Sequence, residues 1–277
     1  MSMDTPIHIQ SFVERAKGIY ISDRIVYTDD GKTVCGVIGE SELVIDPKWP
    51  LTLFRYMHFS RLYTEIEKKT ITFISPKQWE DPFEGAFLDL DKNHKVKCLC
   101  FTYNGSIGEE WAWKSYRRDE PLVRIEILFD KLVDTLSSIS CQEGNHWTFY
   151  ISVCDYSMDK SSIINYVKNL KKSGITLCLD DYLNIMSLKR KAFSNEREIR
   201  VFAVPNMSIE DNVISFNHVD YKDFMTRVLL EPLAPFQDEL RNRYYSKLQA
   251  IYNAGIKEYI HSLKTIKTQQ SHLYEIK

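Results

Sequence analysis

A chain of 277 residues, 44% hydrophobic and 27% charged with 10 glycines and 9 prolines, has the makeup of a folded protein and excludes a disordered one. Its formal charge of −2 and pI near 6.4 give no overall positive field toward nucleic acid or an anionic membrane. With no basic-then-apolar leader and no run of 18 apolar residues, the expectation is a cytoplasmic protein with one large domain.

In chain order, Ile9, Phe12, Val13 and Ala16 fall at helical spacing over 7–17. Asp30-Gly31 separates two extended stretches, 25–27 and 33–38, and reads as a hairpin turn. Two prolines in 46–50 then interrupt regular structure. Residues 1–50 are expected to be a small helix-and-hairpin β appendage, 51–265 a single α+β domain and 266–277 a polar tail.

The stretch 51–59 favours a strand, with Leu53, Arg55, Met57 and Phe59 on one side. An arginine among them is either buried against an anionic partner or aimed at an anionic ligand. A helix over 61–68 with Ser60 as cap and a strand over 70–74 follow. The turn segment 75–85 holds Trp79 and Phe83, which should dock it, together with Asp81, Pro82 and Glu84. Asp81 is expected there as a structural brace that caps a turn.

A strand over 95–102 places Cys98 and Cys100 on one face. In a helix over 109–118, Trp113 and Tyr116 are three apart and share a face, an arrangement commoner in cores than in ligand platforms. Strict alternation makes 122–129 a strand; a helix over 131–139, a strand over 147–156 and helices over 162–172 and 180–191 come next. The stretch 196–205 runs alternating charges into an apolar strand. Glu196, Glu198 and Arg200 project to one side, Arg197, Ile199, Val201 and Ala203 to the other. Carboxylates two residues apart repel unless a cation holds them, and Arg200 is the nearest. This set is the candidate for chemistry, against the plain alternative of a solvated strand face. Strands over 213–216 and 226–230, a helix over 237–252 ending before Gly255 and a last strand over 256–263 complete the chain.

No Gly-rich phosphate loop, His-Glu-x-x-His helix or Gly-x-Ser-x-Gly elbow occurs. The seven histidines do not fall at metal-ligand spacing, so no metal is expected, and the six scattered cysteines read as reduced core thiols.

Several of these stretches resemble the bacterial family known as domain of unknown function 2971. They are Leu53-Phe54-Arg55-Tyr56, Phe73-Ile74-Ser75-Pro76 through Asp81-Pro82-Phe83-Glu84, Cys100-Phe101-Thr102 followed by Trp113 and Tyr116, and Glu196-Arg197-Glu198-Ile199-Arg200. They span roughly 51–205, and Glu80 stands where that family has Asn. The resemblance implies a layout similar to the ADP-ribosyltransferase fold, a split and mostly antiparallel sheet with flanking helices. It further implies an NAD-using ADP-ribosyltransferase or NAD glycohydrolase, some relatives being associated with phage defence.

Mapped onto this chain, the resemblance gives Arg55 and Tyr56 to NAD binding, Thr102 or Tyr116 to the nicotinamide end, and Glu198 with its neighbour Glu196 to catalysis. Cleaving the nicotinamide bond builds positive charge on the ribose, which a fixed carboxylate stabilises. One alternative is a non-catalytic binding protein of the same fold that grips a protein partner through the loop around Trp79 to Glu84, with Trp113 and Arg200 as bracing. Another is a nuclease-like effector with Asp81, Glu84 and Glu198 on Mg²⁺.

Overall fold

The computed structural model describes residues 19–21, 25–27, 33–35, 52–79, 81, 84, 87, 95–103, 112–113, 116, 120–142, 147–174, 176–206, 211–232 and 239–271. The expected helix over 7–17, the proline break at 46–50, and Pro82 and Phe83 lie outside them.

The strands are β1 (Ile19–Ile21), β2 (Ile25–Tyr27), β3 (Thr33–Cys35), β4 (Thr52–His58), β5 (Thr70–Ile74) and β6 (Lys97–Thr102), followed by β7 (Leu122–Leu128), β8 (Trp147–Val153), β9 (Glu198–Pro205), β10 (Val213–Asn217), β11 (Met225–Leu230) and β12 (Lys267–Gln270). The helices are α1 (Phe59–Glu67), α2 (Phe129–Ser140), α3 (Lys160–Ser173), α4 (Leu179–Met186) and α5 (Glu239–Ser262). This is an α+β fold around one open, mixed and mostly antiparallel sheet, in the order β1-β8-β9-β6-β4-β7-β11-β12. The sheet branches at β6, which pairs with β4 at Thr102 and with β5 at Cys98; β10 continues the β5 branch. Only the outermost pairs on the main path, β1 with β8 and β11 with β12, are parallel.

Alternation along the strands sorts the core into two layers. On one face Leu53 and Met57, Leu99 and Phe101, Val123, Ile125 and Ile127, and Ile199, Val201 and Ala203 meet Leu62 and Ile66 of α1, Leu132 and Leu136 of α2 and Ile256 and Ile260 of α5. On the opposite face Cys98, Phe202 and Val204 meet Ile163 and Val167 of α3 and Tyr182 to Met186 of α4. Local signals fix these helices. Asp159 caps α3 by accepting the Ser162 N–H at 2.7 Å, and Gly174, at φ +62°, ends it in the left-handed conformation.

Four expectations change. β1 adds to the edge of the large sheet, so part of the first fifty residues is not an appendage; β2 and β3 do form a separate antiparallel ribbon. The C-terminal helix runs through Gly255 to Ser262, where a strand was expected. Burial of Ile256 and Ile260 beyond that glycine offsets its helix cost of about 1 kcal/mol. Residues 267–270, expected within the polar tail, are strand β12. Of the cysteines expected in the core, Cys98 and Cys154 are buried, whereas Cys141 and Cys178 are exposed.

Candidate functional site

The register of the sheet decides which candidate residues share a face. Phe54 pairs with Thr102, Thr102 with Glu198, and Cys100 with Arg200. Glu198, Arg200, Thr102, Phe54 and Tyr56 therefore project to the α3/α4 side. Arg55 projects to the other. It packs beside Leu53 and Met57 and lies 3.7 Å from buried Glu65, which Arg61 also grips at 3.0 Å and to which the Tyr221 hydroxyl donates. An arginine among apolar neighbours has here the anionic protein partner that makes its burial tolerable. The structure thus does not bring Arg55 to Glu198; the two lie on opposite faces of the sheet.

Glu198 opens β9, and its backbone N–H donates to the Tyr156 hydroxyl at 2.9 Å. Glu196 ends a 3-10 turn (Lys191–Glu196), so it is not in the strand as expected; Arg197 between them adopts φ +44°, ψ +59°. Lys189 is set between the two glutamates by the chain leaving α4. The Asp155 N–H donates to the Ser187 carbonyl at 2.8 Å and the Lys189 N–H to the Asp155 carbonyl at 2.9 Å. Lys189 Nζ donates to Glu196 Oε2 and, at 2.5 Å, to Glu198 Oε2, with Glu84 Oε1 3.4 Å away. Arg200 donates from Nε to Glu198 Oε1 at 2.9 Å, from Nη2 to Glu84 Oε1 at 2.7 Å, and from Nη1 to the Met186 carbonyl. Its guanidinium lies over the Trp79 ring, 4.2 Å from the centroid.

The result is a buried cluster of three carboxylates and two cations. The turn segment expected to dock does so through Trp79 and Glu84, and Asp81 braces it by accepting two hydrogen bonds from Arg190, at 3.0 and 3.1 Å. That is a brace of a different kind from the turn cap expected. Of these, Glu84 is buried, and Trp79 and Asp81 are half-buried. Asp81 is held by Arg190, and the ammonium of Lys189 sits between Glu84 and Glu198. Among the described residues no three His, Cys, Asp or Glu side chains are grouped to hold a metal.

With one carboxylate in excess, proton affinities diverge. Burial pushes the Glu196 carboxyl up to about 7; Lys189 opposes the rise, and Glu198 and Glu84 add to it. Burial also disfavours the Glu198 anion, but Arg200 and Lys189 outweigh it and hold that carboxyl well below the usual range. The Lys189 ammonium, although buried, is kept charged by Glu198 and Glu84.

The acceptor positions of Glu198 are taken by Lys189, both Nε and Nη2 of Arg200, and the Cys100 thiol. Glu196 differs. One of its oxygens faces Lys189, and the other, Oε1, carries no hydrogen bond among the described residues.

Beside this cluster stand aromatic side chains. Tyr116 stacks on Tyr56, with centroids 5.8 Å apart and planes 16° from parallel, and Trp113 meets Tyr56 edge-on at 5.0 Å. Trp113 is buried, with its indole N–H unpartnered among the described residues; Tyr116 is 42% exposed. Burial of the Tyr116 hydroxyl end, together with Glu196 and Glu198, pushes that phenol up. Both residues offered for the middle position, Thr102 and Tyr116, thus lie on the carboxylate face.

Two members of the cluster were not foreseen, Lys189 and Tyr156. The run Lys189-Arg190-Lys191 was legible only as the end of a helix, whereas α4 stops at Met186. A cavity of about 210 Å³ between α5 and β12, lined by Asn253, Lys257 and Gln270 among others, lies on the opposite face. No protein-family model and no curated protein matches the chain.

Proposed function

We propose that the chain is an NAD-using enzyme of the ADP-ribosyltransferase or NAD glycohydrolase type, with Glu196 as the carboxylate that meets the ribose. The observation that carries this reading is the unengaged Glu196 Oε1 on the sheet face that also presents the stacked Tyr56 and Tyr116. Glu198, its oxygens occupied, is a positioning residue that holds Lys189 and Arg200 in register.

In the hydrolytic form the bond from the ribose C1′ to the nicotinamide nitrogen breaks. Nicotinamide leaves as a neutral molecule with the bonding electron pair, and the ribose becomes an oxocarbenium-like cation. Ionised Glu196 gives the five-group cluster a net charge of −1, from three carboxylates and two cations, which stabilises that cation. Water attacks C1′ and gives its proton to Glu196; a carboxyl near 7 suits a general base at neutral pH. In the transferase form an acceptor nucleophile replaces the water. Tyr56 and Tyr116 supply the planar surface for the nicotinamide ring, and Thr102 lies between Phe54 and Glu198 along the register.

The other reading is a charge cluster that only staples the turn segment to β9, in a protein that binds without catalysis. The saturation of Glu198 favours it. Release of nicotinamide from NAD separates the two. The enzyme reading expects turnover in the wild type that falls at least 100-fold in Glu196→Gln; the staple reading expects none in either.

A further inference from the structure

We infer that Lys97 and Ser75 form a carbamylation site, at which carbon dioxide adds to the Lys97 amine and the Ser75 hydroxyl holds the resulting carbamate. The inference is independent of the NAD reading and concerns the opposite face of the sheet.

Lys97 is 3% exposed. It opens β6, and alternation turns it to the α1/α2/α5 side with Leu99 and Phe101. It pairs with Ala203, which in turn pairs with Phe149, and both are fully buried. A lysine in such a row needs an anionic partner or gives up its charge. The three other buried cations among the described residues have that partner. Arg124 lies 3.1 Å from Glu126, and Lys189 and Arg200 lie 2.5 and 2.9 Å from Glu198. Lys97 has no carboxylate at ion-pair distance among the described residues; its Nζ donates to the Lys95 carbonyl at 3.2 Å. Burial pulls its proton affinity down, and Lys95 and Lys77 pull the same way against Asp211. More of this amine is therefore neutral, and nucleophilic, than of a lysine at the surface.

The surroundings suit the product better than the ammonium. Carbamylation replaces a positive charge by a negative one, so the Lys95 and Lys77 charges that oppose the ammonium attract the carbamate. A hydrogen-bond donor stands across from it. Ile74 pairs with Cys98, so the next antiparallel pair is Ser75 with Lys97, both on one face. Ser75 is buried, and its hydroxyl oxygen accepts from the Lys77 N–H at 3.4 Å. Its hydroxyl hydrogen has no acceptor among the described residues, and a carbamate oxygen beside it would supply one.

Access sets the reagent. An amine this covered admits a small uncharged electrophile, which carbon dioxide is. The lone pair of the neutral amine attacks the carbon, one C=O electron pair moves onto oxygen, the N–C bond forms, and a proton leaves the nitrogen for water. No oxidant or second substrate takes part.

The test is carbon-13 NMR of the full chain equilibrated with labelled bicarbonate, followed by methylation of any carbamate with a trialkyloxonium salt and peptide mass spectrometry to locate it. Wild type is expected to carry a carbamate on Lys97 whose occupancy saturates with bicarbonate. Lys97→Met should lose that signal, and Ser75→Ala, which keeps the amine, should need at least threefold more bicarbonate for half occupancy. The Ser75 variant keeps the test valid if Lys97→Met does not fold. Adducts confined to the amino terminus and exposed lysines, or no adduct at all, overturn the site, as does a Lys97 adduct whose occupancy is unchanged in Ser75→Ala.

Discussion

At the residue scale, the behaviour of the site follows from three carboxylates meeting two cations in a buried place. The proton that this imbalance leaves belongs to Glu196, whose carboxyl sits near 7 instead of the usual 4.5. Folding therefore favours its protonated form. Its contribution is fully present below about pH 4.5 and is lost as pH rises through 7, on the order of 3 kcal/mol in all. Glu198 acts with the opposite sign. Its carboxyl is depressed in the folded chain, so its contribution is present above the unfolded value and is lost as pH falls below it. Urea unfolding of the wild type should accordingly show stability declining between pH 5 and 7.5, and Glu196→Gln should flatten that limb. An unchanged slope in the variant would show that Glu196 does not carry the proton. Arg55 makes a separate prediction. Arg55→Ala removes one of the two cations beside buried Glu65 and should cost about 2–3 kcal/mol in the same experiment, while changing NAD binding less than twofold in a calorimetric titration.

At the scale of elements, register and termination do more than composition. In β11 a bulge at Thr226 sets Arg227 opposite Glu126, where an unbroken ladder would set it opposite Ile125. Elements with a strong period were legible from the sequence. The alternation of Leu122 to Leu128 marked β7, and Ile163 and Val167 marked the buried stripe of α3. What was not legible has specific physical causes. β12, Lys-Thr-Gln-Gln, carries no apolar signal because it is a polar edge strand half exposed along its length. Gly255 looked like a helix stop, yet the helix is held on both sides of it, by hydrogen bonds from Asn253 to the Glu231 carbonyl and Gln270 and by buried Ile256. Within the site, the pairing of Glu198 with Arg200 was legible because the two are neighbours on one strand face. Lys189 was not, since its place depends on where α4 ends and on the backbone clasp to Asp155. Arg55 shows the converse. Its strand and even its odd-one-out character were readable, but which face met Glu198 depended on the pairing of β4 with β6 at Thr102.

At the scale of the molecule, the sheet separates two kinds of chemistry. The α1/α2/α5 face is an apolar layer with one buried charge group, Arg55, Arg61 and Glu65 under Tyr221. The opposite face divides. α3 and α4 cover its β8/β9 side, and toward β4 and β7 it presents Tyr56, Phe54, Arg124 and Glu126 beside Trp113. The glutamate cluster sits at the border between these two parts, beside the exposed Tyr116. On this account the catalytic group and the aromatic surface belong to one face, and Arg55 on the other does not contribute to turnover. The most direct measurement is nicotinamide release from NAD by wild type, Glu196→Gln and Arg55→Ala side by side. The account predicts release by wild type, a loss of at least 100-fold in Glu196→Gln, and near-wild-type turnover in folded Arg55→Ala. Release that survives Glu196→Gln but is abolished in folded Arg55→Ala would contradict it, as would no release from NAD at all.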